Sequence, residues 1–143
     1  MKKILIIDDE PVLLELLQEL FTMEKWHVEI CSNSVHAMDQ IVKLQPDVIL
    51  SDINMPNMNG LELLEKIYDR KILTPVIFLT GFRDTHKMQK AWQYCAFDFL
   101  DKPFNSEHLI NTCQSALDFG KDYVKIARAR FENMVSKKKV IAS

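Results

Sequence analysis

The sequence predicts an α/β fold with a doubly wound, five-stranded parallel sheet. Five short apolar segments alternate along the chain with longer amphipathic segments, as strands and helices do in successive βα units. The first segment, Ile4–Ile7, is continuously apolar and shows no period-two alternation. Such a run is typical of a strand that is buried on both faces, which is the position of strands in a parallel sheet.

The strands are predicted where β-branched and aromatic residues cluster between turn-forming residues. The second and third segments contain Val28 with Ile30 and Val48 with Ile49, and Pro46 separates the third from the helix before it. The five predicted strands cover residues 3–8, 26–31, 47–51, 75–80 and 97–100.

The helices are predicted from apolar spacing and from residues suited to helix ends. Pro11 suits a first helical turn, and apolar residues then recur at helical spacing, so helix 1 should cover 11–24. Helix 2 should run over roughly 34–44, and helix 3 should follow Gly60. The remaining N-terminal caps are polar residues: Ser32, Asn33 or Ser34 for helix 2, Asp84 or Thr85 for helix 4, and Asn105 or Ser106 for helix 5.

Right-handed crossovers leave few ways to wind five such βα units. The leading choice is the flavodoxin-like (βα)5 arrangement with strand order 2-1-3-4-5. Ligands of such sheets bind beyond the carboxyl ends of the strands.

Composition points to a globular cytoplasmic domain with no membrane insertion. Of 143 residues, 48% are hydrophobic and 27% are charged, and no apolar run approaches the roughly 20 residues of a membrane span. Acidic residues follow directly after Ile7, so the first apolar run is too short for a secretory segment. Cys31, Cys95 and Cys113 form no C-x-x-C pair and are expected to be reduced thiols.

The charge is distributed unevenly between residues 1–119, predicted as the domain, and residues 120–143, predicted as a basic tail. After Gly120 there are seven basic and two acidic residues, a net charge of +5, so the remainder carries −7. An acidic body favours binding of a cation over direct binding of nucleic acid. The apolar residues of the tail are compatible with an extension of helix 5, whereas Gly120 is typical of a helix end. The tail can also be read as the start of a linker, and these alternatives stay open.

Residues with charged or hydroxyl side chains stand at the carboxyl ends of four of the predicted strands. Asp8 and Asp9 end strand 1, Asp52 follows strand 3, Thr80 ends strand 4, and Lys102 follows strand 5. Strands 1, 3, 4 and 5 are neighbours in the order 2-1-3-4-5. Their carboxyl ends should therefore bring carboxylates, a hydroxyl and an ammonium to one shallow cleft.

This combination of groups indicates a metal site that meets a phosphoryl group. Crowded carboxylates repel each other unless a cation neutralises them, and Mg²⁺ combines one or two carboxylates with water and phosphate oxygens. Lys102 and Thr80 can stabilise charge on the phosphoryl oxygens. A carboxylate can act as a nucleophile toward phosphorus, and Asp52, central among the strand ends, is the best candidate.

These residues together resemble the receiver domain of two-component response regulators, the CheY-like family, over about residues 1–119. The segment from Asp52 to Gly60 resembles the D-x-x-M-P-x-M-x-G loop of the family at every fixed position. The Asp8-Asp9 pair, Thr80 and Lys102-Pro103 also lie where the family has them, as does Phe99.

The resemblance implies a role for each of these residues. It makes Asp52 the phosphoacceptor and Lys102 its partner, and it implies a cis bond before Pro103. It assigns Mg²⁺ to Asp9, Asp52 and the backbone carbonyl of Asn54 directly, and to Asp8 through water. Thr80 and Phe99 would form the switch: on phosphorylation the threonine moves toward the phosphate and the phenylalanine turns inward.

Several positions depart from the commonest family pattern. Gly81 replaces a small side chain after Thr80, and Gln89 stands at a usually apolar position of helix 4. Cys95 replaces the glycine that usually ends helix 4, which predicts a different geometry at that helix end. Asn54 and Phe82 occupy positions at which the family tunes dephosphorylation.

Three classes of function follow from the sequence. The favoured class is a signalling switch, which catalyses only its own phosphorylation and dephosphorylation. Its phosphoryl donor would be a sensor histidine kinase or a histidine phosphotransfer protein. Its output surface, helix 4–strand 5–helix 5, would meet a downstream protein, a missing output domain or a second copy in a homodimer. The second class is a phosphorylation-independent binding module. The third is a phosphatase of the haloacid dehalogenase type, although Asn54 interrupts the D-x-D motif of those enzymes.

Overall fold

A computed structural model describes residues 1–142 of the chain, with side chains described to residue 137. Five strands alternate with five α-helices, and a 3-10 turn (Ser34–His36) precedes the second helix. The strands are β1 (Lys3–Ile7), β2 (His27–Cys31), β3 (Val48–Asp52), β4 (Val76–Thr80) and β5 (Asp98–Asp101). The helices are α1 (Pro11–Met23), α2 (Ala37–Leu44), α3 (Gly60–Asp69), α4 (Thr85–Gln93) and α5 (Ser106–Ala142).

The sheet is parallel and has the order β2-β1-β3-β4-β5, which confirms the predicted fold class. Every residue of β3 and β4 is buried. This burial explains why these strands lack an alternating pattern, because helices cover both faces of the sheet.

Alternate residues of each central strand point into two separate apolar cores. In β1, Leu5 and Ile7 face α2, α3 and α4, whereas Ile4 and Ile6 face α1 and α5. The first core contains Phe78 and the second contains Phe21 among their largest buried side chains. The two cores fix the sheet between the helix layers and so hold the strand ends in place.

Helix ends follow the polar caps expected from the sequence at several points. The predicted cap Asp84 accepts hydrogen bonds from the first turn of α4, and the predicted cap Asn105 accepts one from the N–H of His108 in α5. Asn59 and Glu62, which were not predicted as caps, form a capping box at the start of α3. Cys95 adopts a left-handed backbone conformation with φ 69°, as a glycine there would. The expectation of a different geometry at this helix end is therefore wrong, because the chain accepts the strain of a side chain in that conformation.

Helix α5 continues through Gly120, so the alternative of a helix end at this residue is wrong. A Cβ atom at Gly120 would lie 2.6 Å from Cβ of Pro75. The glycine therefore serves a close approach of α5 to the residue before β4. The next turns of α5 also pack on the body, since Val124 and Arg128 are buried. The division of the chain at residues 119 and 120 stays a prediction.

Candidate functional site

Asp8 lies directly after β1 and is only 2% exposed. Its backbone N–H donates to the carbonyl of Cys31, which continues the pairing of β1 with β2 beyond the strand end. Its carboxylate accepts a 2.9 Å hydrogen bond from the backbone N–H of Glu10 and a 3.1 Å hydrogen bond from the ammonium of Lys102. These contacts hold the Asp8 carboxylate over the carboxyl end of the sheet.

Asp52 is the last residue of β3 and is 6% exposed. One carboxylate oxygen accepts a 3.3 Å hydrogen bond from the backbone N–H of Asn54, and the other lies 3.6 Å from the ammonium of Lys102. Burial raises the pKa of Asp52, and the charges of Asp8 and Asp9 raise it further, against the opposing effect of Lys102. Burial and the neighbouring carboxylates thus disfavour the ionised form of Asp52, and a further cation would stabilise that form.

Asp8, Asp9 and Asp52 form one acidic cluster, in which a carboxylate oxygen of each lies within 4.8 Å of those of the other two. Asp8 and Asp52 are buried, whereas Asp9 is exposed. The three carboxylates offer only oxygen atoms as ligands, and Mg²⁺ prefers hard oxygen ligands of this kind. The donor set therefore fits the predicted metal.

Lys102 follows β5 and brings its ammonium into the same cluster. Its backbone N–H donates a 2.8 Å hydrogen bond to the carbonyl of Thr80, and its peptide bond to Pro103 is cis. Burial alone would lower the pKa of Lys102, but the hydrogen bond to Asp8 and the charge of Asp52 outweigh it and raise the pKa. The ammonium therefore stays charged next to the carboxylates.

Thr80 ends β4 and is 1% exposed. Its hydroxyl donates a 2.9 Å hydrogen bond to the carbonyl of Phe82 and accepts a 3.3 Å hydrogen bond from the N–H of the same residue. The hydroxyl thus holds the loop between β4 and α4, and it would have to leave the Phe82 carbonyl in order to donate to another oxygen.

Phe99 lies in β5, opposite Phe78 of β4. Its ring is buried and packs against Phe78 at 5.5 Å and edge-on against Trp92 of α4 at 5.1 Å. Any displacement of Phe99 would therefore change the packing of Trp92 on the surface of α4.

Two polar contacts near the cluster were not expected from the sequence. Lys87, in the first turn of α4, donates a 2.9 Å hydrogen bond to the side-chain oxygen of Asn54. Arg83 makes two hydrogen bonds to the carboxylate of Asp101, of 2.6 and 3.2 Å, beside β5. No sequence pattern predicts either pair, because each joins two segments that are distant in sequence and meet only in the fold.

Comparison with known proteins assigns a family to this arrangement. Residues 4–114 match the sequence model of a protein family, the response regulator receiver domain. The transcriptional regulatory protein BtsR of Escherichia coli is 40% identical over 115 residues, which is 78% of this chain and 46% of BtsR. The regulatory protein AtoC of E. coli is 32% identical over 80% of this chain and 25% of its own length. The chain thus spans less than half the length of these relatives.

Solved structures share the fold at similar levels of identity. The chemotaxis protein CheY4 of Vibrio cholerae has a TM-score of 0.74 and 32% identity, over 80% of this chain and 97% of that one. A CheY-like receiver domain protein of Methanospirillum hungatei has a TM-score of 0.81 and 27% identity, over 85% and 98%. Within residues 1–142, no helix is both long and apolar enough to cross a membrane. The chain belongs to the family of response regulator receiver domains.

Proposed function

We propose that this chain is a phosphorylation switch whose acceptor is Asp52. The observation that carries the proposal is the position of the Asp52 carboxylate, buried at the end of β3 with the ammonium of Lys102 at 3.6 Å and two further carboxylates around it. A buried carboxylate surrounded in this way is a nucleophile placed where charge on a phosphoryl group can be neutralised. The proposed donor is the phosphohistidine of a sensor histidine kinase or a histidine phosphotransfer protein.

Mg²⁺ is the proposed cofactor, in agreement with the acidic pocket of the receiver family. Asp9, Asp52 and the backbone carbonyl of Asn54 would hold the ion directly, and Asp8 would hold it through water. When bound, the ion supplies positive charge that offsets the carboxylates and the phosphoryl oxygens.

In the proposed reaction, a carboxylate oxygen of Asp52 attacks the phosphorus of the phosphohistidine. A P–O bond forms, the P–N bond breaks, and the imidazole nitrogen leaves and takes up a proton. Lys102 would then shift from the carboxylates toward a phosphoryl oxygen as a point charge, and Thr80 would donate its hydroxyl to another. The chain would catalyse only this step and the hydrolysis of its own aspartyl phosphate.

The conformational response is proposed to begin at Thr80. Its hydroxyl now donates to the carbonyl of Phe82, so a new bond to phosphate would release the β4–α4 loop from this contact. The ring of Phe99 is already buried, so the inward turn that the family resemblance implies would be a further shift toward the space that Thr80 leaves. Because its ring touches Trp92, the change would reach the surface formed by α4, β5 and α5.

This surface is proposed to act on a downstream protein or on an output domain. The names of BtsR and AtoC describe a transcriptional regulator and a regulatory protein, and each is much longer than this chain. We propose that the receiver itself does not bind nucleic acid directly, because its body carries the acidic charge.

Phosphorylation by a kinase or by acetyl phosphate in the presence of Mg²⁺ tests the proposal. Asp52→Asn should abolish formation of a hydroxylamine-sensitive phosphate, whereas Asp39→Asn, which changes an exposed carboxylate on α2, should not. Lys102→Ala should accept phosphate but give a weaker spectral response, because the phosphate loses its ammonium partner. Labelling of the Asp52→Asn chain would contradict the assignment. An NMR spectrum of the wild type unchanged by beryllofluoride and Mg²⁺ would favour a phosphorylation-independent binding module.

A further inference from the structure

The loop between β4 and α4, residues 81–84, makes few contacts with the rest of the domain. A Cβ atom at Gly81 would meet only Cβ of Lys102 within 4 Å, and the side chain of Phe82 is 72% exposed. Among the side chains that the structure describes, that of Arg83 is the only one of the loop to hydrogen-bond beyond α4. Arg83 therefore ties an otherwise loosely packed loop to the sheet.

The partner of Arg83 is Asp101, the last residue of β5. Two hydrogen bonds, of 2.6 and 3.2 Å, join the guanidinium to both carboxylate oxygens. A two-point contact between these charged groups is stronger and more directional than a single hydrogen bond. The guanidinium also lowers the pKa of Asp101, so the carboxylate is ionised at neutral pH and the ion pair is formed there.

This ion pair closes a ring that contains Thr80. In the parallel register of β4 and β5, Thr80 stands opposite Asp101, and the backbone N–H of Lys102 donates to the carbonyl of Thr80. From Thr80 the chain runs through the loop to Arg83, whose guanidinium returns to Asp101. Across this ring, the hydroxyl of Thr80 donates to the carbonyl of Phe82 and accepts from its N–H. The ion pair thus holds both backbone groups of Phe82 at the Thr80 hydroxyl.

We propose that the ion pair between Arg83 and Asp101 is a latch that keeps the domain in its resting conformation. The proposed switch requires the Thr80 hydroxyl to leave Phe82 and donate to a phosphoryl group on Asp52. While the latch is closed, Phe82 stays in place as a competing partner for that hydroxyl. Opening the latch frees the loop, removes the competition and so favours the active conformation. This inference rests on the proposed function, because it concerns the same switch.

The strength of the latch follows from its exposure. The two side chains are 49% and 60% exposed, and exposed ion pairs are weak because water and salt screen them. A pair of this kind shifts an equilibrium between two conformations by about two- to fivefold. A ligand that binds only the active conformation has its dissociation constant raised by the same factor when the resting conformation dominates. The latch therefore sets the sensitivity of the switch.

Titration with beryllofluoride in the presence of Mg²⁺ tests the latch, with the backbone NMR signals of the loop as the measure of binding. Beryllofluoride serves as an analogue of the phosphoryl group on Asp52. Arg83→Met and Asp101→Asn should each lower its dissociation constant about two- to fivefold. The double variant should lower it no further than a single variant does, because either substitution alone opens the latch.

The signs of the two substitutions separate a latch from a simple effect of charge. Arg83→Met removes a positive charge, so electrostatic attraction alone predicts weaker binding of the anionic analogue. Asp101→Asn removes a negative charge, so the same argument predicts tighter binding. A latch predicts tighter binding in both variants. Opposite effects of the two substitutions, or unchanged dissociation constants, would overturn the proposal.

Lys90→Met is the matched control. It also removes a positive charge and an exposed ion pair, the 3.2 Å contact of Lys90 with Glu65, but this pair joins α4 to α3 and does not involve the loop. The control should bind beryllofluoride with the dissociation constant of the wild type. If it bound the analogue as tightly as Arg83→Met, the effect would not belong to the loop and the proposal would fail.

Spectra without any ligand separate the latch from the proposed function. In the free variants, the loop signals should lie between those of the free and the beryllofluoride-bound wild type, because the active conformation is more populated. Exchanging the charges, by Arg83→Asp together with Asp101→Arg, should return the signals toward the free wild type. Unmoved signals in variants whose spectra show a folded chain would overturn the latch and leave the proposed function standing. A wild-type spectrum that beryllofluoride and Mg²⁺ do not change would contradict the proposed function, and the latch with it.

Discussion

Lys87 donates a 2.9 Å hydrogen bond to the side-chain oxygen of Asn54 and so joins the first turn of α4 to the loop after β3. The backbone N–H of Asn54 in turn donates to the carboxylate of Asp52. These two contacts link the ammonium of Lys87 to Asp52, the proposed phosphoacceptor, through a single residue.

Lys87→Met is expected to slow phosphorylation by acetyl phosphate. A positive charge at the mouth of a cleft raises the local concentration of an anionic donor, so its loss should reduce the rate roughly two- to fivefold at low ionic strength. Added salt should remove most of the difference, because it screens exposed charges. The rate is measured from the formation of aspartyl phosphate on phosphate-affinity gels.

Lys90→Met is the matched control, because Lys90 lies one turn further along α4 and pairs with Glu65 at 3.2 Å. This variant should be phosphorylated at the wild-type rate. Equal slowing by both substitutions, or slowing of Lys87→Met that salt does not change, would show that Lys87 has no electrostatic role at the cleft.

Asp52→Asn is expected to raise the free energy of unfolding at pH 7 in the absence of metal. Burial, together with Asp8 and Asp9, raises the pKa of Asp52 in the folded chain above 3.8. A carboxyl group with a raised pKa favours folding below its unfolded pKa, and this contribution is lost as the pH rises through the folded pKa. The advantage of the variant should therefore shrink as the pH falls toward 3.8. Urea unfolding at several pH values measures this, and a variant less stable than wild type at pH 7 would contradict it.

Mg²⁺ is expected to stabilise the wild type by neutralising the acidic cluster. A ligand that binds only the folded chain adds about 2.7 kcal/mol when its concentration is a hundred times its dissociation constant. Asp9→Asn should lose most of this gain, because it removes an exposed carboxylate from the cluster, whereas Asp39→Asn on α2 should keep it. Thermal unfolding with and without Mg²⁺ gives the comparison. Equal gains in both variants would mean that the ion binds elsewhere.

Trp92 is expected to report the switch by its fluorescence, because its ring packs edge-on against Phe99 at 5.1 Å. In a Trp26→Phe chain, Trp92 is the only tryptophan. Beryllofluoride with Mg²⁺ should then change its emission, and the added substitution Thr80→Ala should remove the change because the hydroxyl is lost. An unchanged emission with Asp52 occupied would show that the response does not pass through Phe99.

The acidic cluster could be predicted from the sequence because its members are fixed by backbone topology. Asp8 and Lys102 each follow a strand, Asp52 is the last residue of one, and neighbouring parallel strands end at the same edge of the sheet. Once the strand order is known, no side-chain detail is needed to bring them together. The contact between Lys87 and Asn54 could not be predicted in this way, because it depends on the directions of two exposed side chains.

Backbone conformation after helices was harder to predict, because local preferences compete with packing. Cys95 adopts a left-handed conformation that is usual for glycine, whereas Gly120 lies inside a helix. At Gly120 the deciding factor is contact with Pro75, a residue distant in sequence. A rule based on neighbouring residues therefore assigns this glycine to the wrong structural role.

Because Gly120 is packed against the body, the substitution Gly120→Ala should change the free energy of unfolding in the direction opposite to that expected from helix propensity. Alanine in place of glycine inside an exposed helix stabilises it by about 1 kcal/mol. Here the new Cβ would lie 2.6 Å from Cβ of Pro75. Overpacking of this kind costs about 1–3 kcal/mol. Gly120→Ala should therefore lower the free energy of unfolding, as measured by urea denaturation.

Gly81→Ala provides the comparison, since a Cβ at Gly81 would meet no atom closer than Cβ of Lys102 at 3.9 Å. This substitution should leave the stability close to that of the wild type, or raise it slightly by restricting the unfolded chain. If Gly120→Ala were instead the more stable of the two variants, α5 would not be held against Pro75. The part of α5 after Gly120 would then lack the fixed direction that places Tyr123 and Ile126 beside Trp92.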